Sequence, residues 1–313
     1  MNGKRFSPRW ANVAPLAGLL LLCFLWSLGS LRIDLLPSLN NRALPVMEKQ
    51  ALPFGLLAIT ASIFAIAKRT KWPQRRQAGK AILIGLGLFT APALLVSLSN
   101  QAISELTRVA LFSLVPVFTA VLEPHIAEAT GQQRTGALIA ALLAVAGTFL
   151  IFPAQIPNSV ASSAAFVAIV LAAACTAAAN CLAVKTATES PITTTAAIAG
   201  ITVLACFAML GPSLGREAWT FSGIGPELVW SAAVGLPALL LLFWLMRRMS
   251  AARMTTRFVI APLMTALIGI ALFRPEVSLR DILGFVLIAA GAGWLLFARD
   301  EEPDDASQRL KLN

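Results

Sequence analysis

The feature that most constrains this chain is a series of long apolar blocks free of charge. Residues 13–31 and 81–99, for example, contain no Asp, Glu, Lys or Arg. A hydrocarbon core about 30 Å thick takes roughly 17 to 25 helical residues to cross. Reading the apolar blocks as helices, two of them with charges near one end at Glu105, Arg108 and Arg257, gives spans at 13–31, 51–67, 81–99, 102–122 and 135–153, then at 162–184, 192–211, 228–246, 254–273 and 282–298. The blocks are unbroken runs and not ten-residue alternations, and a lipid-embedded segment must satisfy its own backbone polar groups, so helices are expected and barrel strands are not. The predicted fold class is all-α integral membrane, with ten transmembrane helices.

Composition agrees, because 58% of the residues are hydrophobic and 13% are charged, against roughly 25% charged in soluble domains. The net charge of +10 comes from 25 Lys and Arg lying between the apolar blocks. No basic stripe alternates with aromatics, so the charge points to membrane orientation and not to nucleic acid. With the N-terminus inside, the inner segments hold 18 Lys and Arg and the outer ones 7, which satisfies the positive-inside rule. Lys68, Arg69, Lys71, Arg75, Arg76 and Lys80 form the strongest anchor, and Arg247, Arg248, Arg253 and Arg257 the second. The expected location is the cell inner membrane, with both termini cytoplasmic.

Lys4, Arg5 and Arg9 ahead of the first block imitate a signal peptide, but a run of 19 residues is long for one, so it reads as a retained helix. Cys23, Cys175, Cys181 and Cys206 lie inside apolar blocks with no CxxC and no neighbouring His. They read as reduced packing residues. No metal site, cofactor or catalytic residue is expected.

Two strings recur at nearly one spacing. PVFTA at residues 116–120 returns as PLMTA at 262–266, an offset of 146, and the glycine-bearing helix around Gly147 returns around Gly291, an offset of 144. A duplication follows, dividing the chain into a first five-helix repeat at 11–153, a second at 160–298 and a tail at 299–313. Because five is odd, the second repeat must enter the membrane inverted. The basic cluster moves accordingly, from between helices two and three to between helices eight and nine. Inverted repeats are typical of secondary transporters.

These features resemble the drug/metabolite transporter superfamily, in particular its ten-helix EamA-type members, over nearly the whole chain. FLWSLGS at residues 24–30 is similar to the family's Leu-Trp-Gly-Ser stretch, with Ser27 in the glycine position. Residues 262–296 resemble the family pattern of a helical proline, Pro262, a glutamate past that helix, Glu276, and a final Gly-x6-Gly helix, Gly284 and Gly291. The first copy places Glu128 and Ala140 at the corresponding positions, and Thr176 stands where a tryptophan is common. The resemblance implies an alternating-access carrier with a central cavity lined by both halves, often an exporter of amino acids or other metabolites.

A proline-interrupted short helix at matching positions of two halves is the best sequence pointer to a transport site. Between Arg108 and Glu123 lie 14 uncharged residues containing Pro116, and between Arg257 and Arg274 lie 16 containing Pro262. Each proline frees a carbonyl one turn back, for a cavity or merely for a packing kink. Arg108 and Thr119 share one face of the fourth helix; Arg257 and Thr265 are less closely aligned. An intramembrane arginine costs roughly 2.5 to 3.5 kcal/mol on insertion scales, so both are candidates, although both lie near helix ends and could snorkel. Asn180, amid alanines, needs a partner helix or a substrate. Trp26 and Trp244 read as cavity walls or interface anchors, with mid-span Trp26 the better wall. The candidate substrate-binding set is Trp26, Arg108, Thr119, Asn180, Arg257 and Thr265, with Pro116 and Pro262 as helix breaks. A fixed cation favours an amino acid or organic acid, with proton or exchange coupling as open possibilities. His125, the sole histidine, reads as a loop residue, and no buried acidic pair stands out. A channel or scaffold is the main alternative. A lipid-modifying enzyme would need convergent acids, bases or metal ligands that the spans lack.

Overall fold

The computed structural model describes residues 13–35, 46–99, 102–127, 131–186, 191–210 and 221–297. Glu128 and the tail lie outside them. All regular structure in the described residues is helical. Two helices open the chain, α1 (Val13–Leu35) and α2 (Val46–Ala67). Next, α3 (Arg75–Gly85) passes through a π-helical turn at Leu86–Thr90 into α4 (Ala91–Ser99). A broken rod follows as α5 (Glu105–Phe112) and α6 (Val115–Ala127), then α7 (Gly131–Ile151). Beyond it come α8 (Val160–Thr186) and α9 (Pro191–Leu210). A second rod with a π-helical turn at Ser231–Gly235 joins α10 (Phe221–Trp230) to α11 (Leu236–Leu245). A second broken rod, α12 (Ala251–Thr255) and α13 (Arg257–Phe273), precedes α14 (Leu279–Phe297).

Eight of these rods are long and apolar enough to cross a membrane, and two shorter apolar stretches, Thr135–Ile151 and Ile192–Ala208, accompany them. Their exteriors fit a lipid solvent: Ile59, Ile63, Leu98 and Leu204 are well exposed, a face a water-soluble monomer does not present on this scale. The interior is centred on Leu19, Leu22, Phe54, Leu57, Ile84 and Leu242, all fully buried.

Local chemistry explains the irregular turns. Pro92 and Pro237 each follow a π-helical turn by two residues. A proline ring cannot donate to the carbonyl four residues back and clashes with it, so a wider turn relieves the conflict. The α5–α6 break falls at Ser113 and Leu114, just ahead of Pro116, where the Ser113 hydroxyl donates to the Ala110 carbonyl at 2.6 Å. In the second broken rod Pro262 sits within α13, and the interruption lies earlier, at Thr256. There the Thr255 and Thr256 hydroxyls donate to the carbonyls of Ala252 and Arg253 at 2.9 and 2.6 Å. Such back-bonding competes with the helical ladder.

Packing follows a paired scheme. α7 lies along α14, and α2 along α9; α1 packs on α13 and α11, while α8 packs on α6 and α4. Small residues permit the α7–α14 contact. A Cβ added at Gly147 would lie 2.6 Å from the Gly284 carbonyl oxygen, and one at Gly291 would lie 2.5 Å from that of Ala140. Close backbone approach through small residues is the usual basis of helix association in lipid.

Candidate functional site

Residues of both π-helical turns line a cavity of about 430 Å³, within the roughly 300–1,000 Å³ range of small-molecule sites. Leu88 and Phe89 come from the first turn, Val234 and Gly235 from the second. π-Helical turns occur frequently at functional sites. Further walls come from Trp26, Phe54, Phe112, Trp230 and Phe258, so the lining is predominantly aromatic and apolar. Phe112 and Phe258 stack at 6.4 Å, and Trp26 lies 6.4 Å from Phe258. The lining extends from mid-depth toward the end of the bundle where α1 finishes and α2 begins, reaching Gly29, Gln50 and Val96.

Arg257 borders this cavity, the one charged residue of the lining among the described residues, with 1% of its surface exposed. Its two terminal nitrogens both donate to the Asn180 side-chain oxygen at 3.2 Å, and Nη1 also donates to the Met254 carbonyl at 2.8 Å. The Asn180 amide nitrogen donates in turn to the Ala251 carbonyl at 3.4 Å. Aromatic faces complete the surroundings, with the guanidinium carbon 4.6 Å from the Phe258 ring centre and 5.7 Å from that of Trp26. Nε–H has no partner among the described residues. Among the described residues the guanidinium is thus held by neutral groups.

A second polar cluster lies near the α2 end. Glu227, 2% exposed, forms an ion pair with Arg32, and Lys49 approaches the same oxygen at 3.8 Å. The Arg32 guanidinium also rests 5.0 Å over the Trp230 ring, and Trp230 borders the cavity. Sequence reading missed this cluster, because Glu227 falls one residue before the span expected at 228–246. The glycine and proline residues just ahead of it gave it the appearance of a loop residue, whereas α10 begins at Phe221.

At the opposite end, the Glu123 carboxylate on α6 accepts the backbone N–H groups of Ala251 at 3.0 Å and Ala252 at 3.1 Å. This clamp ties α6 to the first turn of α12, and α12 also packs on α8. The corresponding segments at the α2 end, α5 and α13, make no packing contact of similar extent among the described residues. Among the described residues the polar latch therefore lies at the α6 end, and the lining of the cavity extends toward the α2 end.

Of the residues singled out from sequence, Trp26 and Arg257 line the cavity, and Asn180 lies buried directly behind Arg257. Thr119 on α6 is fully buried, and its hydroxyl has no partner among the described residues. Thr265 is half-buried and donates to the Ala261 carbonyl at 3.0 Å. Arg108 is half-buried on α5 and does not line the cavity. Pro116 opens α6, and Pro262 lies in α13. Ser27, matched to the family's glycine position, is fully buried and donates to the Ala261 carbonyl at 3.0 Å, joining α1 to α13. His125 is exposed at the α6 end. Among the described residues no group of His, Cys, Asp and Glu is arranged to hold a metal ion.

No family model matches this sequence, and no curated protein does. Among solved structures the chain is similar to a crystal structure of a protein with which it shares 16% identity, at a TM-score of 0.72, over 92% of this chain and 100% of that one. The similarity establishes a shared helical fold.

Proposed function

We propose that the chain is a secondary transporter that carries a small metabolite, of the amino acid or organic acid class, across the inner membrane by alternating access. In this reading ten helices span the bilayer as two inverted five-helix repeats, residues 11–153 and 160–298, and both termini are cytoplasmic. Several features support the duplication. The π-helical turns at 86–90 and 231–235, the prolines at 92 and 237, and the stacked pair Phe112 and Phe258 all recur at spacings of 145 or 146 residues. Exchanging the halves also turns the Gly147–Gly284 contact into the Gly291–Ala140 contact, and both are present. A two-fold relation between halves accounts for that reciprocity.

One observation carries the functional reading: a cavity lined from both halves of the chain extends toward the α2 end, while the Glu123 latch joins α6 to α12 at the other. With the N-terminus inside, the latched end is cytoplasmic and the cavity opens outward. Rocking one half against the other would expose the same site to the cytoplasm. The test is counterflow into proteoliposomes preloaded with candidate amino and organic acids. Saturable uptake of a labelled compound, accelerated by unlabelled compound inside, is expected of a carrier. Flux that rises linearly with concentration and shows no trans-acceleration would assign a channel instead.

A further inference from the structure

The environment of Arg257 specifies more than a small metabolite. An arginine stays charged in proteins, and a buried cation without a counter-charge is unfavourable unless something compensates it. Asn180 and the Met254 carbonyl supply neutral acceptors, and no carboxylate among the described residues lies within ion-pair distance. The bonding pattern also leaves one buried edge without an acceptor among the described residues. Both terminal nitrogens point one hydrogen at Asn180, and Nη1 spends a second bond on Met254. Nε–H is unpartnered, and the remaining hydrogen of Nη2 lies on the same side of the guanidinium. That Nε–Nη2 edge is one of the two forks through which arginine receives a carboxylate by parallel hydrogen bonds.

The rest of the lining sets the body of the ligand. Trp26, Phe54, Phe89, Phe112, Trp230 and Phe258 surround the space, and apart from Arg257 the lining's hydroxyl and amide side chains are Thr176 and Gln50. The Thr176 hydroxyl is already committed to the Ala172 carbonyl at 2.8 Å. Glu227, the buried acid among the described residues, is engaged by Arg32 and Lys49 outside the lining. An ammonium group entering this cavity would lose its hydration with no carboxylate to replace it.

We propose that the cavity takes a monoanionic carboxylate with an apolar, aromatic or branched body, held at Arg257, and discriminates against the matching α-amino acid. This rests on the carrier reading and narrows its substrate class. The probes are 3-phenylpropanoate, its neutral amide 3-phenylpropanamide and the zwitterion phenylalanine, titrated by calorimetry against the purified full chain in lipid nanodiscs. The anion is expected to bind at least tenfold more tightly than either comparison compound. Arg257→Lys should keep binding of the anion but weaken it several-fold by losing the fork, and Arg257→Gln should abolish the preference. Should either variant fail to fold, the three-ligand series on the unaltered protein still decides. Equal or tighter binding of phenylalanine or of the amide overturns the assignment, as does binding by none of the three. Failure here is distinguishable from failure of the carrier reading, because opposed motion of the two ends of the bundle is measurable without any ligand.

Discussion

Arg257 and Asn180 sit 77 residues apart in sequence and share one oxygen in space. Removing a buried acceptor leaves its donors unsatisfied at a cost of about 1–3 kcal/mol, more where the donor is charged. Asn180→Ala should therefore lower the thermal midpoint in detergent, whereas Asn180→Asp, which retains an acceptor oxygen, should recover most of the loss. An unchanged midpoint in the alanine variant would contradict the role given to the carboxamide. The Arg32–Glu227 pair is the corresponding case at the α2 end. Glu227→Gln alone should destabilise by about 3–5 kcal/mol, since it removes the carboxylate that the buried Arg32 shares with Lys49, and replacing Arg32 and Glu227 together by Met should restore much of it. Equal stability of the single and double replacements in chemical unfolding would argue against a buried, coupled pair. Insertion cost alone flags Arg257 and Arg108 in the sequence, because either is conspicuous beside a long apolar run. Which of the two borders the cavity depends on helix rotation and packing, which charge spacing does not encode. Glu227 was harder still, because its partner Arg32 is 195 positions away.

The elements themselves were largely legible, since an apolar block of membrane length has few alternatives to a helix. Their irregularities were legible only in part. Pro116 marks the α5–α6 break closely, while the α12–α13 break is set by hydroxyl back-bonding at Thr255 and Thr256, ahead of Pro262. The π-helical turns lie upstream of Pro92 and Pro237, residues that a sequence reading places inside ordinary spans. Among helix contacts, that of α7 with α14 makes the sharpest prediction. Gly147→Val and Gly291→Val should each destabilise by about 1–3 kcal/mol or prevent folding, because the new Cβ meets backbone that cannot rotate away. Gly55→Ala in α2 meets nothing within 4 Å and should be neutral or stabilising by about 0.5–1 kcal/mol. Thermal melts of purified protein compare the three, and equal tolerance at all of them would refute the close approach.

For the molecule as a whole, the positive-inside asymmetry and the latched cavity must agree in direction. In the proposed topology the basic segment at residues 68–80 is cytoplasmic, so a cysteine introduced as Gln74→Cys should resist an impermeant thiol reagent in intact cells and react once the membrane is opened. Labelling from outside intact cells would invert the proposed topology. That assignment also places the Glu123 latch in the cytoplasm and the Arg32–Glu227–Lys49 cluster at the outer end. In the proposed mechanism the two halves exchange their contacts about the shared cavity, and this structure would be one of the two states such an exchange allows. The most direct measurement is a pair of interspin distances in a chain whose four native cysteines are replaced. One pair, Ile126→Cys with Ala252→Cys, reports the α6 end, and the other, Leu106→Cys with Phe273→Cys, reports the α2 end. Glu123→Ala should lengthen the first distance and shorten the second, because releasing the latch favours the opposite-facing state. Unchanged distances at both ends, or lengthening at both together, would contradict alternating access.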